Sequence, residues 1–105
     1  MRDAVAALVA MGPLPDETTA EQSDVDRRAL LLEEVGRVPP SPAEVAAFLD
    51  VLPATDNECF GLAWTLVHLI EAGPDWPQWA ALDLRSGWWI DLLRLRLRNA
   101  GFSRP

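Results

Sequence analysis

The stretch from Glu58 to Ala72, ECFGLAWTLVHLIEA, decides the fold. At about 100° per residue, Phe60, Leu62, Ala63, Trp64, Leu66, Val67, Leu69 and Ile70 leave almost no polar arc, and a helix of that kind is buried on most sides. Other helices are therefore expected to pack around it. Thr55 and Glu58 have the spacing of a capping box at its start. Gly73 followed by Pro74 marks its end.

Toward the N-terminus, Val5, Leu8 and Val9 predict a first helix over Asp3 to Met11, stopped by Gly12, Pro13 and Pro15. The run PDETTAEQSD is polar, acidic and without a hydrophobic anchor, so residues 12–23 are expected to form a mobile acidic loop. Ser23 is placed to cap a second helix, with Asp24 and Asp26 against the positive end of its dipole. Val25, Ala29, Leu32 and Val35 give this helix its inner stripe, Leu30 and Leu31 widen it, and Gly36 ends it. Ser41, Pro42 and Glu44 predict a capped third helix with proline in its first turn. Val45, Phe48, Leu49 and Leu52 point inward, and Pro53 stops it.

Toward the C-terminus, GPDWPQW predicts a sharp turn, and Pro77 opens a short fifth helix carrying Trp79, Ala80 and Leu82. Ser86 is placed to cap a sixth, from Gly87 to Ala100, closed by Gly101. No alternating, β-branched run predicts a strand. The expected class is all-α, about six helices paired as antiparallel hairpins, arranged as a compact bundle or a short HEAT-like stack. A faint internal echo supports the antiparallel pairing and is compatible with three stacked hairpins or with an irregular six-helix bundle. Pro42 to Asp50 and Pro77 to Asp83 both place proline at a helix start, follow it with an Ala-Ala pair and precede a longer hydrophobic helix.

A chain of 105 residues has the size of one domain, and a single domain over 1–105 is expected. No run approaches the ~20 apolar residues of a membrane-spanning helix. The opening MRDAVAALVAMGPLP reads as a short amphipathic helix rather than a signal peptide. The one cysteine, Cys59, excludes an intrachain disulfide and fits a reducing compartment, with the cytoplasm as the expected location. Net charge is −7, and all nine basic residues are arginine. Residues 1–84 carry four arginines against fifteen acids, and the rest carries five arginines against Asp91 alone. Such a surface disfavours nucleic acid, which requires an electropositive face, and attracts a basic protein. The plainer reading of the charge is that it keeps a small protein dissolved.

Little material is present for catalysis. The chain has one histidine, one cysteine, no lysine and no tyrosine, so general bases, Schiff-base amines and phenols are scarce. On one ideal helix Cys59 and His68 lie about 180° apart and ~13 Å along the axis, too far for a dyad. His68 and Glu71 share a helix face, but two groups fall short of the three or four ligands of a metal site. Gly61, Thr65, His68 and Ala72 form a narrow stripe, read as a place where a neighbouring helix approaches closely, with His68 bonded at the packing surface. No phosphate loop, nucleophile elbow or C-x-x-C pair occurs. No catalytic residue, cofactor or metal is expected.

Five tryptophans are many for this length. Trp64 is expected in the core, one of Trp88 and Trp89 in the core with the other at a boundary or interface, and Trp76, between two prolines, partly exposed or packed across a helix end. Arg96 falls on the apolar arc of the last helix. A guanidinium there needs an acid, with Glu58, Glu71 or Asp83 as candidates, or it faces a partner.

The run ECFGLAWTLVHLIEAGPDWP and the following WWIDLLRLRLRNAG combine a hydrophobic helix ending in H-x-I-E, a Trp-Pro turn, and an aromatic helix start with regularly placed arginines and Asn99. In these features the C-terminal half resembles the small all-helical immunity proteins that neutralise polymorphic bacterial toxins. The resemblance implies a protein that binds and occludes a cognate toxin, presenting acidic residues to a basic cleft, and it transfers no binding residues. The chain's own charge pattern supplies the candidates: Asp16, Glu17, Glu21 and Asp24 in the acidic loop, with Asp75 and Trp76 at the turn. A free monomer or weak dimer is expected. The alternatives are a small structural or adaptor subunit using the Arg94 and Arg98 edge or the tryptophans, and a carboxylate or metal enzyme around His68 and Glu71.

Overall fold

Six helices and no strand are present among residues 1–104, which the computed structural model describes: α1 (Asp3–Ala10), α2 (Gln22–Val35), α3 (Pro42–Phe48), α4 (Leu62–Glu71), α5 (Trp79–Asp83) and α6 (Trp88–Asn99). No described helix is long and apolar enough to cross a membrane. The all-α expectation holds.

Pairs of helices form hairpins, and the hairpins stack. Helix α1 packs on α2 and α3 on α4, while α1 also meets α3 and α2 meets α4. Polar ties set the register of the odd-numbered row. At one end Arg2 grips Glu44 and Gln78 Nε2 donates to the Pro42 carbonyl. At the other, the Leu14 N–H donates to the Val51 carbonyl and Arg85 grips Asp50. Helices α1, α3 and α5 therefore run side by side in one direction. In the even-numbered row, Trp64 meets Trp89 edge-on at 5.2 Å, and seven residues further along each helix Glu71 meets Arg96 at 2.7 Å. Helices α4 and α6 thus also run in parallel. The helix pairs arranged in this way make a compact all-α bundle, extending 42 × 28 × 20 Å over the described residues.

Between the rows lies one core, with Val5 and Leu8 from α1, Leu32 and Val35 from α2, Val45 and Phe48 from α3, and the inner face of α4. Each buried leucine or valine there contributes roughly 1.5–3 kcal/mol. Gly73 shows how closely α3 approaches the end of α4. A Cβ at this position would lie 2.5 Å from Val45 Cγ2. Gly73→Ala is expected to destabilise the fold by about 1–2 kcal/mol through overpacking, measured by denaturant unfolding.

The Ser41–Glu44 capping box forms as expected, with Pro42 at the first helical position. Gly101 closes α6: at φ +89° it lets the Phe102 N–H reach the Leu97 carbonyl and its own N–H reach that of Arg98, the paired bonds of a Schellman end. Several other boundaries move. Helix α2 begins at Gln22, because the Glu21 carbonyl accepts from Asp24 and Val25, so Ser23 caps nothing. Leu30, expected to widen the inner stripe, is 67% exposed, and Arg28 occupies the buried position. Helix α3 ends at Phe48, leaving residues 49–61 as a long connection. Helix α6 starts at Trp88 with no side-chain cap from Ser86.

The largest correction concerns the start of α4. The Thr55–Glu58 box does not form, since the Thr55 hydroxyl accepts from Asn57 and the Glu58 carboxylate accepts from the Trp64 indole. Instead the backbone turns left-handed over three residues, Cys59 (φ +46°), Phe60 (φ +54°) and Gly61 (φ +87°), before α4 begins at Leu62. This turn buries Cys59 and swings Phe60 outward, 61% exposed. The stripe of Gly61, Thr65, His68 and Ala72 is exposed, not covered by a helix, because α2, α3 and α6 occupy the other sides of α4. Trp64 is half-buried, and Trp89 is the tryptophan enclosed in the core.

Candidate functional site

The six residues singled out by charge and turn position fall into two groups. Asp16, Glu17, Glu21 and Asp24 lie at the end where α4 starts, and Asp75 and Trp76 follow the turn at which it finishes. Ten helical residues, about 15 Å, separate these ends. Trp76 is half-buried and packs against the core, while Asp75 is exposed.

The acidic segment is a series of tied turns. Asp16 Oδ1 accepts from the Thr18 N–H at 2.8 Å and from its hydroxyl at 2.6 Å, and these bonds hold the carboxyl below its ordinary range. Leu14, just before it, is buried. Glu17 reaches across to the long connection, where Oε2 accepts from the Phe60 N–H at 3.0 Å. Glu21 is exposed at the start of α2, and Asp24 pairs with Arg28 at 3.1 Å.

The arginines determine which acids remain free. Arg85 pairs with Asp50, Arg94 with Asp91, Arg96 with Glu71 and Arg104 with Asp83. The basic C-terminal segment is largely neutralised within the fold. Arg96 resolves as an internal bridge: both its Nε and Nη2 donate to Glu71, at 2.7 and 2.8 Å, and its guanidinium lies 5.9 Å from the Trp64 ring centre. By contrast, Asp16, Glu17, Asp56 and Glu58 have no arginine within salt-bridge distance among the described residues. They belong to the two segments that the Glu17–Phe60 bond joins.

A surface therefore emerges that the sequence alone did not indicate: a projecting phenylalanine on a left-handed turn, tied by Glu17 to an acidic segment. Phe60 was read as part of a buried helix. The signal that could have found it is Gly61, which interrupts the apolar run next to Asn57, a residue prone to local side-chain bonds. Indeed Asn57 Oδ1 accepts from the Cys59 N–H.

The catalytic alternatives fare poorly on geometry. Cys59 is off the helix and fully buried. Burial pushes its thiol up, and Glu17, Asp24 and Asp16 add to the effect against Arg28, which disfavours the reactive thiolate. His68 is exposed, and both carboxylate oxygens of Glu71 are taken by Arg96. No group of three or more potential metal ligands occurs among the described residues. A groove of about 220 Å³ lined by Pro13, Pro53, Ser86 and Trp89 also contains Asp50 and Arg85, which neutralise each other. No family model matches the chain, and neither do any curated proteins or solved structures.

Proposed function

We propose that the chain is a non-enzymatic protein-binding module, of the kind that binds and occludes a basic toxin in the cytoplasm. The observation that supports this reading is Phe60, exposed on a left-handed turn that Glu17 ties to the acidic segment, where the two joined segments also carry Asp16, Asp56 and Glu58 without arginine partners. Non-glycine residues in the left-handed region cost of order 1 kcal/mol each, and strain of this kind concentrates at binding and catalytic sites. An aromatic anchor inside a charged rim is a common design for a binding hot spot. The free carboxylates would steer a cationic surface toward it and speed association at low salt.

The test uses the tagged chain to capture its partner from native lysate, then compares the wild type with Phe60→Gly and Glu17→Arg by surface plasmon resonance. Glycine relieves the left-handed backbone while adding freedom to the unfolded chain, so stability should change by less than about 1 kcal/mol. Binding should weaken by roughly tenfold or more. The Glu17→Arg variant and added salt should both slow association. A captured partner whose binding ignores both substitutions and salt would refute this reading. Exposure of Leu30 and Leu84 favours a second reading, a permanent structural or adaptor subunit. Salt-independent binding lost in Leu84→Ser would support that alternative.

A further inference from the structure

Helix α6 has two apolar faces. Trp89, Ile90, Leu93 and Leu97 are buried against the rest of the stack. On the opposite side Trp88 and Leu95 are 46% and 43% exposed, with half-buried Leu92 between them. Trp88, Leu92, Leu95 and Asn99 follow one another at intervals of four, three and four residues. That is the d-a-d-a spacing of a coiled-coil seam, with polar Asn99 at its end.

The charges beside this seam suggest what covers it. Asp91 and Arg98 are seven residues apart and so lie on the same edge of the seam. Asp91 is 74% exposed on its side chain and bonds only Arg94, at 3.2 Å. Arg98 has no carboxylate within salt-bridge distance among the described residues. When two identical helices pack antiparallel, like edges face each other. Asp91 of one copy then comes beside Arg98 of the second, and the same contact repeats across the two-fold axis. A uniformly acidic or basic partner would repel one half of this edge, whereas a second copy complements both halves.

We propose that this face of α6 is the interface of a two-fold symmetric dimer of this chain, with α6 antiparallel to α6 and Leu92 of each copy against Leu95 of the other. The two-fold axis closes the assembly at two copies, since each copy spends the same patch. A twelve-residue helix is about 18 Å long, so the seam buries well under the ~800 Å² per partner of a standard stable interface. The dimer is accordingly weak, with a dissociation constant on the order of tens to hundreds of micromolar.

Sedimentation equilibrium of the full chain from about 5 µM to about 1 mM tests this, without any toxin or other partner, so its outcome is independent of the binding function above. The expected result is a monomer–dimer equilibrium. Leu95→Glu should raise the dissociation constant at least about tenfold, and the milder Leu95→Ala by roughly threefold. Asp91→Arg and Arg98→Asp should each weaken the dimer severalfold, and the double swap should recover most of the wild-type affinity. These positions are exposed, and circular dichroism checks that each variant folds. A chain that stays monomeric at the highest concentration overturns the proposal. So does a dimer indifferent to Leu95→Glu, a double swap that recovers nothing, or growth beyond two copies.

Discussion

Glu44→Ala is expected to lower stability by about 3 kcal/mol, enough to put a domain of this size near its unfolding threshold. Only 3% of Glu44 is exposed. Its two oxygens accept from Arg2 Nε at 2.9 Å, Arg2 Nη2 at 3.2 Å, the Arg2 backbone N–H at 3.3 Å and the Ser41 N–H at 2.9 Å. Arg2 in turn donates to the Val35 carbonyl at 3.1 Å. One carboxylate thus caps α3 and fastens the first turn of α1 to α3 and, through Arg2, to the end of α2. Removing it deletes half of a capping box and leaves a guanidinium facing an apolar gap. Arg2 keeps 31% of its side chain exposed, so water compensates part of the loss, and the effect stays at the lower end for a broken buried pair.

The same site gives the fold a pH dependence of known sign. The Arg2 guanidinium, bonded to Glu44, is the main cause that holds its carboxyl at about 2, against an ordinary 4.5. The folded value lies below the unfolded one, so this contribution is complete above about pH 4.5 and disappears as pH falls from there toward 2. In that window the unfolded chain binds more protons, and stability rises with pH. Asp50 and Asp83 are depressed by Arg85 and Arg104 and act in the same sense. Denaturant unfolding of the wild type and Glu44→Gln at several pH values separates them. The gap between the two proteins should be widest near neutrality and close as pH drops through 4.5 to 2. A constant gap would show that the carboxylate's charge is irrelevant.

Arg28→Met is expected to cost about 2–3 kcal/mol, a fall of roughly 10–20 °C in midpoint temperature for about 100 residues. Arg28 is 4% exposed and occupies the inner stripe of α2, three residues after Val25 and four before Leu32. Its Nη2 donates to the Met11 carbonyl at 2.7 Å and its Nη1 to that of Gly12 at 2.8 Å, while Nε bonds Asp24 at 3.1 Å. These carbonyls follow the end of α1, where intrahelical donors have run out. Methionine keeps most of the volume but donates nothing, so two carbonyls lose their partners. Arg28→Lys supplies charge without the planar fork and should recover only part of the loss. Equal stability of Arg28→Met and wild type in thermal unfolding would refute this account.

Arg28 also illustrates why the candidate site was only half legible. Asp24 and Glu17 look equivalent in the sequence, both acidic and both near the same loop. In the fold Asp24 is engaged by Arg28, whereas Glu17 binds a backbone N–H 43 residues away and keeps its charge free. The basic C-terminal segment was visible as arginines, yet its near neutralisation depends on Asp50 and Glu71, brought in by the other helices, and on Asp83 at the end of α5.

The sequence by itself determined what nearest neighbours along the chain determine. The 3.6-residue spacing of apolar side chains placed six helices, Ser41-Pro42-x-Glu44 started α3, and Gly36 and Gly101 ended α2 and α6, because caps and periodicity act over a single turn. Tertiary structure alone decided where α4 begins and which side chains face outward. Burying Cys59, seating Trp64 on Glu58 and bonding Phe60 to Glu17 together outweigh a local Thr55–Glu58 cap worth about 1 kcal/mol. Long-range contacts settled that competition, and they turned a residue of the most hydrophobic stretch into the most prominent side chain of the candidate surface.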